Sequence, residues 1–443
     1  MRDFILLALV CGSLPVCFFE PFFGVLMWIW IAFFNPHRFT FGFMYNFPVA
    51  ATVAVPTLAG VFVTRKINRP ILVRESLWLL VLWIWFYAAY LNATHEPLFA
   101  GHIADSQLEL IRVSKILLMT FVIMLVTTSE KRLRWVFLVT ALSFGVLALR
   151  GAVFGLATGG NFRVFGPPDS FLTDNNGFAL ALNMCLPIFY LFGRVEKQKL
   201  LRCALKIAFA CGVLCVILSY SRGGFLGLVV VLTLLAWRSK YRVVGVALLA
   251  VIALAVVSFA PPQWSNRMNT LRQEGVDGSA QQRLVGWGTT WNFVQDYPVM
   301  GGSFYVLPDV SVFQKYKTRN LPGGFESTGP HSIYFQVLGE QGFMGFVIYF
   351  GLVISCFVTL VSLRRRTRRS PELSWMGFYA DIILISLTGF LVSGAFLGFA
   401  DFDLYYQMVA CVCVLKILYI REMAARRSPV SQAALAFSGS EAA

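Results

Sequence analysis

Charge is scarce in this chain. Asp, Glu, Lys and Arg make up 13% of its 443 residues, about half the share usual in a soluble domain. A surface built from so few charges cannot keep a globule of this size in water, which excludes an ordinary soluble enzyme or binding module. Acidic residues are the scarcer sign, 22 against 37 Lys and Arg, for a net charge of +15. Only four histidines occur, His37, His95, His102 and His331. Three motifs are missing: G-x-x-x-x-G-K-[ST], G-x-S-x-G and H-E-x-x-H. Their absence removes the sequence signatures of P-loop nucleotide hydrolysis, of an α/β-hydrolase serine and of a zinc metallopeptidase. Cysteine is present nine times, yet every copy falls within or beside an apolar run and none in the longest polar stretch. That placement offers neither a disulfide framework nor zinc spacing, and leaves small side chains for packing between helices.

What the chain has instead is apolar length. Hydrophobic residues are 58% and the mean hydropathy is +0.70. Apolar runs fall at about 4–34, 47–63, 76–91, 111–128, 133–149, 175–193, 203–219, 223–237, 243–260, 332–361, 374–397 and 403–420. Most approach the roughly 20 helical residues that cross about 30 Å of hydrocarbon. The expectation is an all-α polytopic membrane protein with about twelve transmembrane helices. The first run, interrupted at Pro15 and Glu20-Pro21, reads as a retained span, one kinked or two short. Lys and Arg crowd every second connection: 64–75, 129–134, 194–206, 238–242, 364–372 and 421–427. By the positive-inside rule these are cytoplasmic. Both termini are then expected in the cytoplasm, in a bacterial inner membrane. The basic balance follows from membrane topology and does not imply nucleic acid. The implied partner is the lipid bilayer.

One long polar stretch, 261–331, lies on the opposite, periplasmic side and divides the chain into 1–260, 261–331 and 332–443. Long loops of this kind tend to be functional. It carries Arg267, Arg272 and Arg283, and its aromatics argue against disorder. It ends at His331, beside the start of a helix. There a helix N-terminus and nearby arginines disfavour imidazolium and keep the ring a neutral base. Ser221-Arg222-Gly223-Gly224 makes a short outer turn at which a guanidinium and bare backbone N–H groups could hold an anion. Arg163 lies among outer-side glycines. Arg112 and Lys115 enter a span from the same side, where ionisable residues are costly. Asp401-Phe402-Asp403 is a D-x-D in a tight turn, and reads more readily as a cap than as a metal pair. No cofactor or metal is implied.

These pieces resemble the O-antigen ligase and polymerase family of bacterial inner-membrane proteins (WaaL-like and Wzy-like). Asp174-Asn175-Asn176-Gly177-Phe178-Ala179 is similar to that family's Asp-Pro-Asn-x-x-Ala, with Asn175 in place of the proline. Ser221-Arg222-Gly223-Gly224 with Leu226-Gly227 looks like its Ser-Arg turn. Arg283 with Trp287, the pair Gly301-Gly302, and His331-Ser332 followed by Glu340-Gln341-Gly342 and Gly345 match in order. The N-terminal 18–43 segment also resembles a subgroup of O-glycosylation ligases found with exosortase systems. The resemblance implies a GT-C type glycosyltransferase. It would transfer O-antigen polysaccharide from undecaprenyl diphosphate to a sugar hydroxyl of the lipid A core, with inversion and without metal. His331 would be the base. Arg222, Arg283, Arg267 and Arg163 would hold the diphosphate, with Ser221, Asn176 and Glu340 in support. A polymerase or protein O-glycosylation ligase would share the donor half. A lipid-linked oligosaccharide transporter remains a third reading, disfavoured because polar residues gather on one face and no internal repeat is visible.

Overall fold

The structure is a computed structural model and describes residues 1–68, 72–238, 278–318 and 326–427. Within them the chain is helical. The helices are α1 Arg2–Phe19, α2 Pro21–Phe34, α3 Val49–Val63, α4 Arg74–Ala93, α5 Ile103–Val126, α6 Glu130–Ala157, α7 Asn175–Val195, α8 Lys199–Leu218 and α9 Arg222–Arg238. They continue as α10 Gly278–Asp296, α11 Val310–Tyr316, α12 Ile333–Thr367, α13 Ser374–Gly394 and α14 Asp403–Arg427. Seven of the described helices are long and apolar enough to cross a bilayer, and α2 and α3 are shorter apolar ones. The protein is a multi-pass membrane protein. The apolar run at 243–260 lies outside the described residues.

Two helices run through the middle. Every residue of α14 from Leu404 to Leu415 is fully buried or within 1% of it, and α7 is buried almost continuously from Phe178 to Phe189. This is why Cys411 and Cys413, on different sides of one helix, are both buried, and why all nine thiols are free. Two amides in this interior pair through their nitrogens: Gln407 Nε2 donates to Thr140 Oγ1 at 2.8 Å, and Asn183 Nδ2 to the Gly224 carbonyl at 2.7 Å. Their oxygens, and the Tyr406 hydroxyl, are buried without a hydrogen-bond partner among the described residues, each at a desolvation cost.

The bundle has a basic end and a far end. At the basic end Arg132 donates to Glu20 at 2.6 Å, Arg421 to Asn68 Oδ1 at 2.5 Å, and Arg134 to Glu196. At the far end lie 35–46, 157–174, 218–222, 283–318, 326–331 and 395–403. They are stitched by Tyr45 to Asp169, Asn175 to the Ser219 carbonyl, and His102 to the Gly302 carbonyl.

The first apolar run resolves into two helices. Pro21 opens α2 because its missing N–H is no loss in a first turn, and the chain reverses at Glu20. Arg2 therefore sits at the far end, donating to the Phe39 carbonyl at 3.4 Å, and Asp3 accepts from Met44 N at 3.1 Å. Helix α14 finishes at the basic end, where Arg426 pairs with Glu372. The expectation that both termini share the basic side is corrected. The extra reversal at Glu20-Pro21 puts the first residues at the opposite end from residue 427.

The described part of the polar stretch is built around aromatics. Phe99, Phe293, Tyr297 and Tyr316 form a second, smaller core with ring centroids 4.9–6.5 Å apart. It docks on α12 through glycines. The Gly302 and Ser303 N–H groups donate to the Gly339 and Glu340 carbonyls at 3.1 and 2.8 Å. Gly342 breaks α12 with φ 67° and ψ −176°, a region open essentially to glycine alone. A Cβ there would stand 2.2 Å from the Val299 carbonyl oxygen.

Candidate functional site

At the far end α9 begins, α10 passes over it, and the 395–400 turn closes beneath. Ser221 caps α9: its Oγ accepts from Gly224 N at 3.0 Å. Arg222 is therefore the first residue of a helix whose free N–H groups and macrodipole favour an anion. A Cβ on Gly223 would lie 2.8 Å from the Phe396 side chain, so only glycine lets the turn approach this closely. Arg283 projects from α10, and its Nε donates to the Phe396 carbonyl at 3.3 Å. Arg222 and Arg283 line one cleft of about 520 Å³, together with Leu226, Val229, Leu284 and Trp287. The cationic end of this cleft opens onto an apolar strip, since Leu226, Val229 and Leu284 are all exposed.

Trp287 connects the cleft to the histidine. Its Nε1 donates to the Pro330 carbonyl at 2.8 Å, and its ring stacks on Phe335 with centroids 5.2 Å apart. His331 follows at once, in the left-handed region at φ 44°. That conformation costs a non-glycine residue on the order of 1 kcal/mol. Ser332 then enters α12. His331 is part-buried. Burial, and then the charge of Arg283, hold its pKa below the usual imidazole value, while Asp174 acts in the opposite direction. Both causes favour the neutral ring; the expectation rests on the helix N-terminus and nearby arginines, whereas burial is the larger cause.

The structure thus brings Arg222, Arg283 and His331 together at one end, with Ser221 as the cap beneath. It does not gather every residue expected there. Arg163 is exposed and lines a different cavity, of about 640 Å³, with Arg150 and Phe154. The cleft of Arg222 and Arg283 therefore does not include it. The reason is local: Val164 N donates to the Leu218 carbonyl at 3.1 Å, which pins the 160–166 segment to the other side of the 218–222 turn. Asn176 lies in the first turn of α7, where its N–H and side chain bond Asp174 at 2.8 and 3.2 Å. Glu340 lies deeper, buried in α12, accepting from Tyr305 N at 3.2 Å and from Gln336 at 3.4 Å. It fastens the 301–305 turn to α12 and stands outside the cleft. Arg267 lies outside the described residues.

The D-x-D side chains are engaged separately. Asp401 accepts from Gln336 at 3.0 Å, and Asp403 stands 3.6 Å from Arg112. Arg112 also bonds Glu109 at 2.9 Å and lies over the Phe171 ring at 4.3 Å. Burial, then Glu109, push the Asp401 carboxyl above its ordinary range. Among the described residues no group of three or more His, Cys, Asp or Glu side chains is placed to hold a metal ion. Two participants were not foreseen. Asp174, quoted only for its motif, acts on His331 across the fold. The Phe396 carbonyl orients Arg283, and a backbone acceptor leaves no mark in sequence.

Residues 207–350 match the model of the O-antigen ligase family. Over that third of its length the chain is similar to that family. The matched segment contains Arg222, Arg283, His331 and Glu340, hence all three groups that meet at the far end. Residues 1–185 match a family of unknown function (DUF5935), which takes in Arg163 and Asn176. No curated protein matches the chain. Members of the O-antigen ligase family are glycosyltransferase-like ligases, which supports a general enzyme role for this chain in a membrane.

Proposed function

We propose that this protein transfers a glycan from undecaprenyl diphosphate to a sugar hydroxyl at the periplasmic face of the bacterial inner membrane, as an O-antigen ligase acting on the lipid A core. The observation that carries this reading is the single cleft shared by Arg222 and Arg283, with His331 joined to its wall through Trp287 and Pro330. The two guanidiniums would hold the diphosphate, and the exposed Leu226, Val229 and Leu284 would line the path of the prenyl chain. His331 takes the proton of the acceptor hydroxyl. The hydroxyl oxygen bonds to the anomeric carbon as the bond from that carbon to the diphosphate oxygen breaks. The electron pair leaves on undecaprenyl diphosphate, whose growing charge the preorganised arginines stabilise. Attack from the face opposite the leaving group inverts the anomeric centre. The cations needed for departure are supplied by the chain, so the reaction is expected to run without metal, in a GT-C type architecture of about twelve spans.

A polymerase or a protein O-glycosylation ligase would use the same donor half and differ only in acceptor. Purified protein in detergent, with EDTA, donor and lipid A core, tests the proposal. Transfer is expected, and His331→Ala should abolish it while undecaprenyl diphosphate still binds. A requirement for a sealed vesicle would point to transport instead, and retained activity in His331→Ala would remove it as the base.

A further inference from the structure

The cavity that holds Arg163 has a character of its own. It lies between α6 and the 161–167 segment, with a volume of about 640 Å³. Its two cations are Arg150 and Arg163, and Asn161 adds an amide. Among the described residues no carboxylate pairs with either arginine; the Arg150 guanidinium instead lies 4.7 Å from the centre of the Phe39 ring. The remaining wall is aromatic and open: Phe154, Phe162 and Phe165 are 46%, 63% and 53% exposed. Height along the helix is informative as well. Arg150 stands about 30 Å along α6 from Glu130 at 1.5 Å per residue, about one hydrocarbon thickness from the basic end. Two cations at that depth, with Val146 and Leu142 exposed one and two turns nearer the membrane interior on the same face of α6, suit an amphiphile with an anionic head and buried acyl chains. A small soluble anion would gain nothing from that apolar face.

The cavity is also placed for a second substrate. The 218–222 turn reaches both sites, since its last residue, Arg222, lines the cleft shared with Arg283. That turn is gripped from the cavity's side by Val164 N on the Leu218 carbonyl and by the Tyr220 hydroxyl on the Gly160 carbonyl. We infer that the Arg150–Arg163 cavity is the docking site of the lipid-anchored acceptor, holding a phosphate on its head while its acyl chains lie along the exposed Val146 and Leu142 face of α6. Naming the occupant as acceptor rests on the two-lipid reading above, whereas the site itself rests on the cavity. Two lipid substrates would then approach from opposite sides of one turn, each with its own pair of arginines.

Equilibrium binding to the full chain in phosphatidylcholine nanodiscs tests this, with lipid A, dephosphorylated lipid A, phosphatidylglycerol and undecaprenyl diphosphate as probes. Arg150→Gln and Arg163→Gln should each weaken lipid A binding about tenfold, the loss of one charge-assisted phosphate contact. Undecaprenyl diphosphate binding should not change. Dephosphorylated lipid A should bind the parent as weakly as lipid A binds the double variant. Arg222→Gln should do the reverse, weakening only the diphosphate lipid. Unchanged lipid A affinity overturns the inference. So does an equal loss for phosphatidylglycerol, which would mean generic headgroup contact, or for undecaprenyl diphosphate, which would return Arg163 to the donor. Arg163→Gln alone, on an exposed segment, carries the test if the double variant does not fold. Failure of the parent to bind undecaprenyl diphosphate would instead count against the proposed function and leave this site standing.

Discussion

Replacing Arg283 separates its two contributions. The guanidinium uses Nε on the Phe396 carbonyl, which aims the rest of the fork into the cleft beside Arg222. Lysine has one nitrogen and cannot hold both a carbonyl and a diphosphate in that planar geometry. Arg283→Lys should weaken undecaprenyl diphosphate binding by about 1.5–3 kcal/mol, the range for hydrogen bonds to charged groups, or roughly 10- to 150-fold. Arg283→Gln should lose at least as much. The pH profile divides the two variants. His331 has a depressed pKa, so the basic form is present at neutral pH and is lost as pH falls through that lowered value. Arg283→Gln removes one of the two causes, and the acid limb of the rate profile should move upward. It should stay below the ordinary imidazole value, because burial, the larger cause, persists. Arg283→Lys keeps the charge and should leave the limb nearly in place. Single-turnover transfer in detergent across pH, with separate donor-binding titrations, reads both effects. Full-strength donor binding by Arg283→Gln, or an acid limb that does not move, would refute the reasoning.

Two further substitutions address the scaffold. Gly342→Ala places a Cβ 2.2 Å from the Val299 carbonyl oxygen at a backbone conformation closed to alanine. It should lower stability by at least about 3 kcal/mol, seen as a fall in Tm, and an unchanged Tm would show the docking of the 298–305 turn to be dispensable. Glu75 is fully buried and accepts from Lys416, Ser355 and Thr359 at 2.7–2.8 Å. Glu75→Gln should cost about 3 kcal/mol, the low end for breaking a buried pair, because Lys416 can still reach water. Donor binding should survive in the folded fraction, since this network lies far from the cleft; its loss would mean that the two ends of the bundle are coupled.

Helix positions were legible because a bilayer leaves the chain so few choices. Apolar runs long enough to span and connections rich in Lys and Arg located α3 to α9 and α12 to α14, although α5 begins eight residues before its run, at Ile103, and α6 ends eight after its run, at Ala157. The first run was ambiguous for a physical reason: Glu20-Pro21 permits either a kink or a reversal, and only packing of α2 against α6, with Arg132 on Glu20, selects the reversal. The arginines divided similarly. Arg222, Arg283 and Arg163 are alike as residues beside glycines on one side of a membrane. Their grouping depends on which loop crosses the 218–222 turn, a matter of long-range hydrogen bonds.

By itself the sequence determined the medium this chain occupies, the positions of most of its apolar helices, and the kinds of side chain offered at the far end. Those follow from hydropathy and charge, which act along the chain and need no neighbours. Tertiary structure alone decided that Arg222 and Arg283 share a cleft, that Asp174 and Arg283 act on one imidazole, and that Arg163 belongs with Arg150. Each of these depends on through-space contacts among segments tens to hundreds of residues apart, and such contacts are created only when the helices close upon one another.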